Sequence, residues 1–166
     1  MLIRPAVAAD DLVLGDLLVR AYQSQYARTM PDLVLAPQRL ADLRDLAEKR
    51  ANASVLVAEM DGEILGCVTL YRWGAPRCEA WIAGAANLRY LAVDAVRHGR
   101  GLSRTLLDTA ERLAGSWGAS HVCLHIRRGC LGLARLYEAR GYCRDASGDL
   151  DRLPQVFLEA YALRLS

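Results

Sequence analysis

Three observations predict an α/β fold. Two runs of apolar and β-branched residues, Ser54 to Met60 and Glu63 to Trp73, are separated by Asp61-Gly62, a two-residue signal for an antiparallel hairpin. An apolar run from Ala85 to Val93 leads through a glycine-punctuated turn into a stretch with Leu106, Leu107, Ala110, Leu113 and Ala114 at helical spacing. Finally, 166 residues that are 53% hydrophobic and 24% charged suffice for one sizeable core, so one domain is expected over residues 1–166.

Taken in order, Leu2 to Arg4 reads as a short strand stopped by Pro5. Asp10 or Asp11 then opens a helix whose inner positions are Leu14, Leu17, Leu18 and Tyr22. A second helix is expected from Pro37 or Gln38 to about Arg50, because Leu40, Leu43, Leu46 and Ala47 recur at spacings of three and four; Pro31 and Pro37 bracket the loop before it. After the hairpin, Gly74 to Gly84 holds Pro76, Arg77, Cys78, Glu79 and Trp81 without periodicity and reads as a connection projecting near a site. Beyond the strand 85–93 the turn ending at Gly101 opens a helix from about Leu102 to Trp117, ended by Gly115 and Gly118. His121 to Ile126 is a strand, Leu131 to Arg140 a helix closed by Gly141, and Val156 to Leu165 a last strand.

Composition removes several function classes. Lys plus Arg total 21 against 19 for Asp plus Glu, and a balance of +2 gives no reason to expect nucleic acid as a partner. Every apolar run is broken well short of the roughly 18 to 20 residues of a membrane span, so no membrane partner is expected. The first residues carry Arg4, Asp10, Asp11 and Asp16 instead of an apolar signal core, which points to the cytoplasm. Cys67, Cys78, Cys123, Cys130 and Cys143 show no CxxC spacing, so neither a disulfide framework nor a zinc site is indicated. His121, Cys123 and His125 alternate along one strand face, but same-face neighbours there stand roughly 6 to 7 Å apart, awkward for a tetrahedral metal. No metal is expected.

The turn before the long helix has the physics of an anion site. First-turn N–H groups have no intrahelical partner, and the positive end of the helix dipole points at the same place. Gly99 and Gly101 let the backbone bend and an anion approach, while Arg100 and Arg104 add charge. A phosphate or pyrophosphate suits such a turn. The Walker loop does not fit, because the chain's one lysine, Lys49, lies elsewhere; the dinucleotide pattern lacks its third glycine.

The residues here carry a family resemblance. Leu88-Arg89-Tyr90-Leu91-Ala92-Val93-Asp94 running into His98-Gly99-Arg100-Gly101-Leu102-Ser103-Arg104-Thr105-Leu106-Leu107 resembles the acetyl-CoA motif, R/Q-x-x-G-x-G/A, of the GNAT superfamily of acyl-CoA-dependent N-acetyltransferases. Leu136-Tyr137-Glu138-Ala139-Arg140-Gly141-Tyr142 is similar to that family's Leu-Tyr-Glu-x-x-Gly-Phe segment, at the expected distance downstream. The resemblance covers almost the whole chain. It implies a mixed, mostly antiparallel, twisted sheet of about seven strands flanked by about four helices, opened by a V-shaped splay beside residues 91–93.

It also implies acetyl-CoA as cofactor, with coenzyme A as product. Backbone N–H groups of His98, Gly99, Arg100, Gly101, Leu102 and Ser103 would hold the pyrophosphate, with Arg104 nearby. The edge formed by Leu91, Ala92 and Val93 would pair with the pantetheine amides, and Cys130, Leu133 and Tyr137 would meet the cofactor from the next helix. Tyr137 would act as general acid toward the departing sulfur. The acceptor would be a primary amine of a small molecule or peptide, acetylated directly in a ternary complex, with an N–H near Val93 polarising the thioester oxygen. A homodimer is compatible with the resemblance, since dimers are common in the family.

Three departures stand out. His98 and Ser103 replace the preferred Arg or Gln and Gly or Ala, Cys130 stands where Asn is frequent, and Asn87 stands where many members keep a glutamate base. An amide accepts no proton from an ammonium, so Asn87 is left to orient a water. Glu79 is then the substitute carboxylate, with His125 second. Asn87 and Cys130 also motivate an alternative: a catalytically silent acyl-CoA-binding regulatory module. Arg127-Arg128 reads as a solvated strand end or as a contact for an adenosine phosphate or an acidic substrate. Tyr22, Tyr26, Trp73 and Trp81 fall where the family builds its acceptor pocket.

Overall fold

The computed structural model of the chain describes residues 1–97 and 101–166. The elements run β1 (Leu2–Pro5), α1 (Asp11–Thr29), α2 (Pro37–Arg44), α3 (Leu46–Asn52), β2 (Ser54–Met60), β3 (Glu63–Tyr71), β4 (Ala86–Val93), α4 (Leu102–Ser116), β5 (His121–Arg127), α5 (Leu131–Ala139), β6 (Cys143–Arg144), β7 (Leu150–Arg152) and β8 (Val156–Arg164). One sheet takes the order β1-β2-β3-β4-β5-β8-β6, with β7 also paired to β8. Every pairing is antiparallel except β4 with β5.

That one parallel pairing is short. It joins Ala86 to Val122 and Asn87 to Cys123 and then stops, so the expected V opens beyond residue 87. On its other edge β4 carries a bulge: Cys67 faces Ala92 and Thr69 faces Arg89, leaving Tyr90 and Leu91 opposite the single residue Val68. Tyr90 adopts φ 57°, a left-handed conformation that costs a bulky residue roughly 1–3 kcal/mol. Burial of its ring with Leu14, Leu17, Leu43 and Tyr71 offsets that cost.

The helices cover both faces. Leu102, Leu106, Leu107, Ala110 and Ala114 of α4 pack on Leu56, Val68, Leu70, Leu88 and Leu124, and each buried leucine contributes about 2 kcal/mol. The other face packs Val55, Val57, Cys67 and Ala92 under α1, α2 and α3. Leu65, Val57 and Val122 are among the residues fully out of solvent.

Two features differ from the sequence expectation. The single helix expected over residues 37–50 is two, because Asp45 leaves helical geometry (φ −79°, ψ 73°) and its side chain accepts from Glu48 N–H at 3.1 Å, capping α3. Lys49 reaches back to the break: fully buried, it donates Nζ to the carbonyls of Asp42 and Asp45, satisfying groups that the interruption frees. Burial pulls its ammonium down to about 8. The strands β6 and β7 are also additional, and at two and three residues they are too short for a period-two pattern to register.

Candidate active site

Where β4 and β5 part, the β4 edge from residue 88 onward has no strand beside it, so its polar main-chain groups on that side are available to an extended ligand. A cavity of about 130 Å³ opens there. Its wall draws on α1 through Tyr22 and Tyr26, α2 through Arg39, the loop before β4 through Glu79, both parted strands, and α5.

Leu133 and Tyr137 of α5 and Cys130, the residue just before it, line one wall. The Tyr137 ring is 4% exposed and meets Tyr142 edge to face at 5.3 Å. Among the described residues its hydroxyl has no hydrogen-bond partner, and burial raises the phenol so that it keeps its proton at neutral pH. The Cys130 thiol is likewise pushed up by burial.

Facing them is a second group built on β5. His125 Nε2 lies 2.8 Å from the Gly148 carbonyl, which only accepts, so the proton sits on Nε2 and the lone pair of the neutral ring on Nδ1. Burial lowers the pKa of this histidine below its ordinary 6.5. The Trp81 ring lies 5.1 Å from it, tilted by 58°, and donates Nε1–H to Asp145 at 2.8 Å. Gly148 presses on Trp81 so closely that a Cβ would stand 2.1 Å from the indole, which holds the carbonyl in place.

The expected base Glu79 lies in the wall, but both of its oxygens are engaged: Oε1 by Arg89 at 2.9 Å and Oε2 by Arg152 at 3.0 Å. Asn87 requires a correction. It is 0% exposed and outside the cavity wall; Oδ1 accepts from Glu79 N–H at 3.0 Å and Nδ2 donates to the Cys123 carbonyl at 3.2 Å. It therefore staples the loop and β5 at the apex of the V instead of orienting a water. Asn87→Ala leaves those two partners buried without it and is expected to lower unfolding free energy by about 2–4 kcal/mol in urea. Unchanged stability with a slowed reaction would return Asn87 to the chemistry.

The remaining expected residues divide by position. Leu91 lines the cavity, Ala92 turns its methyl to the opposite face, and Val93 packs beside the α4 core. Gly101 caps α4 with φ 71°, where a side chain would be strained, and its carbonyl accepts from Thr105 N–H at 3.0 Å. Leu102 is buried, Ser103 half-buried and Arg104 exposed, so the first-turn donors of α4 are presented by main chain. His98, Gly99 and Arg100 lie outside the described residues. Trp73 is 50% exposed and outside the wall. His121, Cys123 and His125 do not gather; among the described residues no group of three or more His, Cys, Asp or Glu is arranged to hold a metal ion.

Sequence reasoning passed over Arg39, Arg89 and Tyr90, all in the wall. The bulge turns Arg89 and Tyr90 together, with the guanidinium 4.8 Å from the ring centre. No local pattern announces such a bulge.

The sequence model of the acetyltransferase (GNAT) family matches residues 14–142. No curated protein matches significantly. Among solved structures, an acetyltransferase of the GNAT family from Staphylococcus aureus Mu50 superposes with TM-score 0.77 at 15% identity, covering 99% of each chain. Ribosomal-protein-alanine N-acetyltransferase from Brucella melitensis gives 0.68 at 22% identity over 99% of this chain and 100% of its own. PaiA N-acetyltransferase from Thermoplasma acidophilum, in complex with coenzyme A, gives 0.70 at 17% identity over 96% of each. Identities this low establish a shared fold.

Proposed function

This chain belongs to the acetyltransferase (GNAT) family, and from that premise we propose that it is an N-acetyltransferase, moving acetyl from acetyl-CoA to a primary amine of a small molecule or peptide while both are bound. One observation carries the reading: an unpaired strand edge and a protonated, unpartnered phenol meet in a single cavity. The coenzyme complex of the Thermoplasma neighbour supports the choice of carrier.

The residues present suit that carrier. The open edge of β4 has the length and polarity to pair with pantetheine amides, and the first turn of α4 behind Gly101 presents N–H groups suited to a diphosphate. When bound, acetyl-CoA supplies an activated acyl thioester. Leu91, Cys130 and Leu133 shield the reacting end from water. His125 Nδ1, not the arginine-bound Glu79, accepts the proton that the attacking ammonium loses. Tyr137 Oη returns a proton to the departing sulfur. A main-chain N–H near Val93 serves the thioester oxygen.

The five cysteines are free thiols, which supports a reducing, cytoplasmic setting. No helix among the described residues is long and apolar enough to cross a membrane. The deciding experiment pairs calorimetry using acetyl-CoA with coenzyme A release over a panel of amines. Binding together with turnover on one amine class is the expected result. Binding with no turnover on any amine would replace the enzyme by a carrier-binding module, and no binding at all would remove both.

A further inference from the structure

The cavity wall holds three arginines, Arg39, Arg89 and Arg127, and one carboxylate, Glu79. Glu79 is already shared between Arg89 and, from outside the wall, Arg152. Among the described residues Arg39 and Arg127 are ion-paired to no carboxylate; aromatic rings hold them instead. The Arg39 guanidinium carbon lies 5.5 Å from the ring centre of Tyr22 and 5.9 Å from that of Tyr90. That of Arg127 lies 5.2 Å from Tyr26, whose ring meets Tyr22 edge to face at 6.0 Å, and its Nη2 donates to the Gln155 carbonyl at 3.4 Å. Ring contacts of this kind direct a guanidinium without filling its in-plane fork of donors, and the Tyr90 hydroxyl, a further partner of Arg39, occupies only part of that fork.

We infer that the acceptor is an amine that also carries a carboxylate, which seats on Arg39 while the field of Arg127 adds to the attraction. The inference rests on the acetyltransferase reading and narrows its substrate class. A planar guanidinium matches a carboxylate with two parallel hydrogen bonds, and the excess positive charge of a half-enclosed wall disfavours polycationic acceptors such as polyamines.

The test compares coenzyme A release with α-amino acids, their decarboxylated amines, phosphorylated amines and a polyamine. Carboxylate-bearing amines are expected to show at least tenfold higher kcat/KM than their decarboxylated counterparts. Arg39→Gln is expected to raise KM for the carboxylate series about tenfold, with little change for decarboxylated amines and none in coenzyme A affinity by calorimetry. Arg39→Lys, which keeps the charge, restores part of the loss and shows that the effect is not misfolding. Equal or better turnover of decarboxylated or polycationic amines overturns this inference alone, and a preference for phosphorylated amines overturns the carboxylate assignment. Coenzyme binding with no amine acetylated overturns the enzyme reading and this inference together.

Discussion

Tyr137→Phe is expected to lower kcat by about 100-fold, the low end of what a positioned general acid contributes, while coenzyme A affinity and unfolding free energy stay nearly constant. The substitution is clean because phenylalanine keeps the edge-to-face contact with Tyr142 and because the hydroxyl bonds no described residue in the folded chain. Its removal therefore orphans no buried protein group. Burial raises the phenol, so it holds its proton over the whole range in which an acetyltransferase is assayed, and the wild-type profile should show no limb that belongs to it. Steady-state kinetics with the best acceptor checks this. A rate within twofold of wild type would take Tyr137 out of the reaction.

The second large effect belongs to His125. His125→Gln keeps a donor for the Gly148 carbonyl but no basic ring nitrogen, and kcat/KM is expected to fall about 100-fold. The pH profile distinguishes a base from a wall residue. Desolvation lowers the His125 pKa, the Gly148 carbonyl and Glu79 oppose that, and Arg89 and Arg152 reinforce it, leaving the folded value below 6.5. Neutral His125 is the working form, so wild-type activity should be lost as pH falls through that lowered value, and the variant should lack this acid limb. Linkage has the same sign. A histidine with a depressed folded pKa binds more protons unfolded, so the stability it contributes is present above pH 6.5 and declines below it. If Glu79→Gln removed the acid limb and His125→Gln kept it, the base would be Glu79.

Much of the scaffold was readable before folding. The Asp61-Gly62 hairpin, the apolar stripe of α4 and the stop of α5 at Gly141 are local signals, each within a dozen or so residues. The single helix expected over 37–50 failed because its interruption is secured by the Asp45 cap and by the buried Lys49, whose apolar surroundings are on other elements. Tyr137 was singled out by the likeness of Leu136-Tyr137-Glu138 to a family segment, and the fold puts it in the cavity wall. Asn87 was misread for the opposite reason: position alone suggests the cleft, whereas its bonds to Glu79 and Cys123 turn it into the core.

Local signals by themselves determined the longer strands and helices and the glycine-capped start of α4, because each is set by near neighbours along the chain. Tertiary structure alone decided the bulge that turns Arg89 with Tyr90, the tautomer of His125 dictated by a carbonyl 23 residues away, and the gathering of Arg39, Arg89 and Arg127 in one cavity wall. The physical reason is that charge and proton position depend on distances through space, and those distances exist only once α2, β4 and β5 have packed.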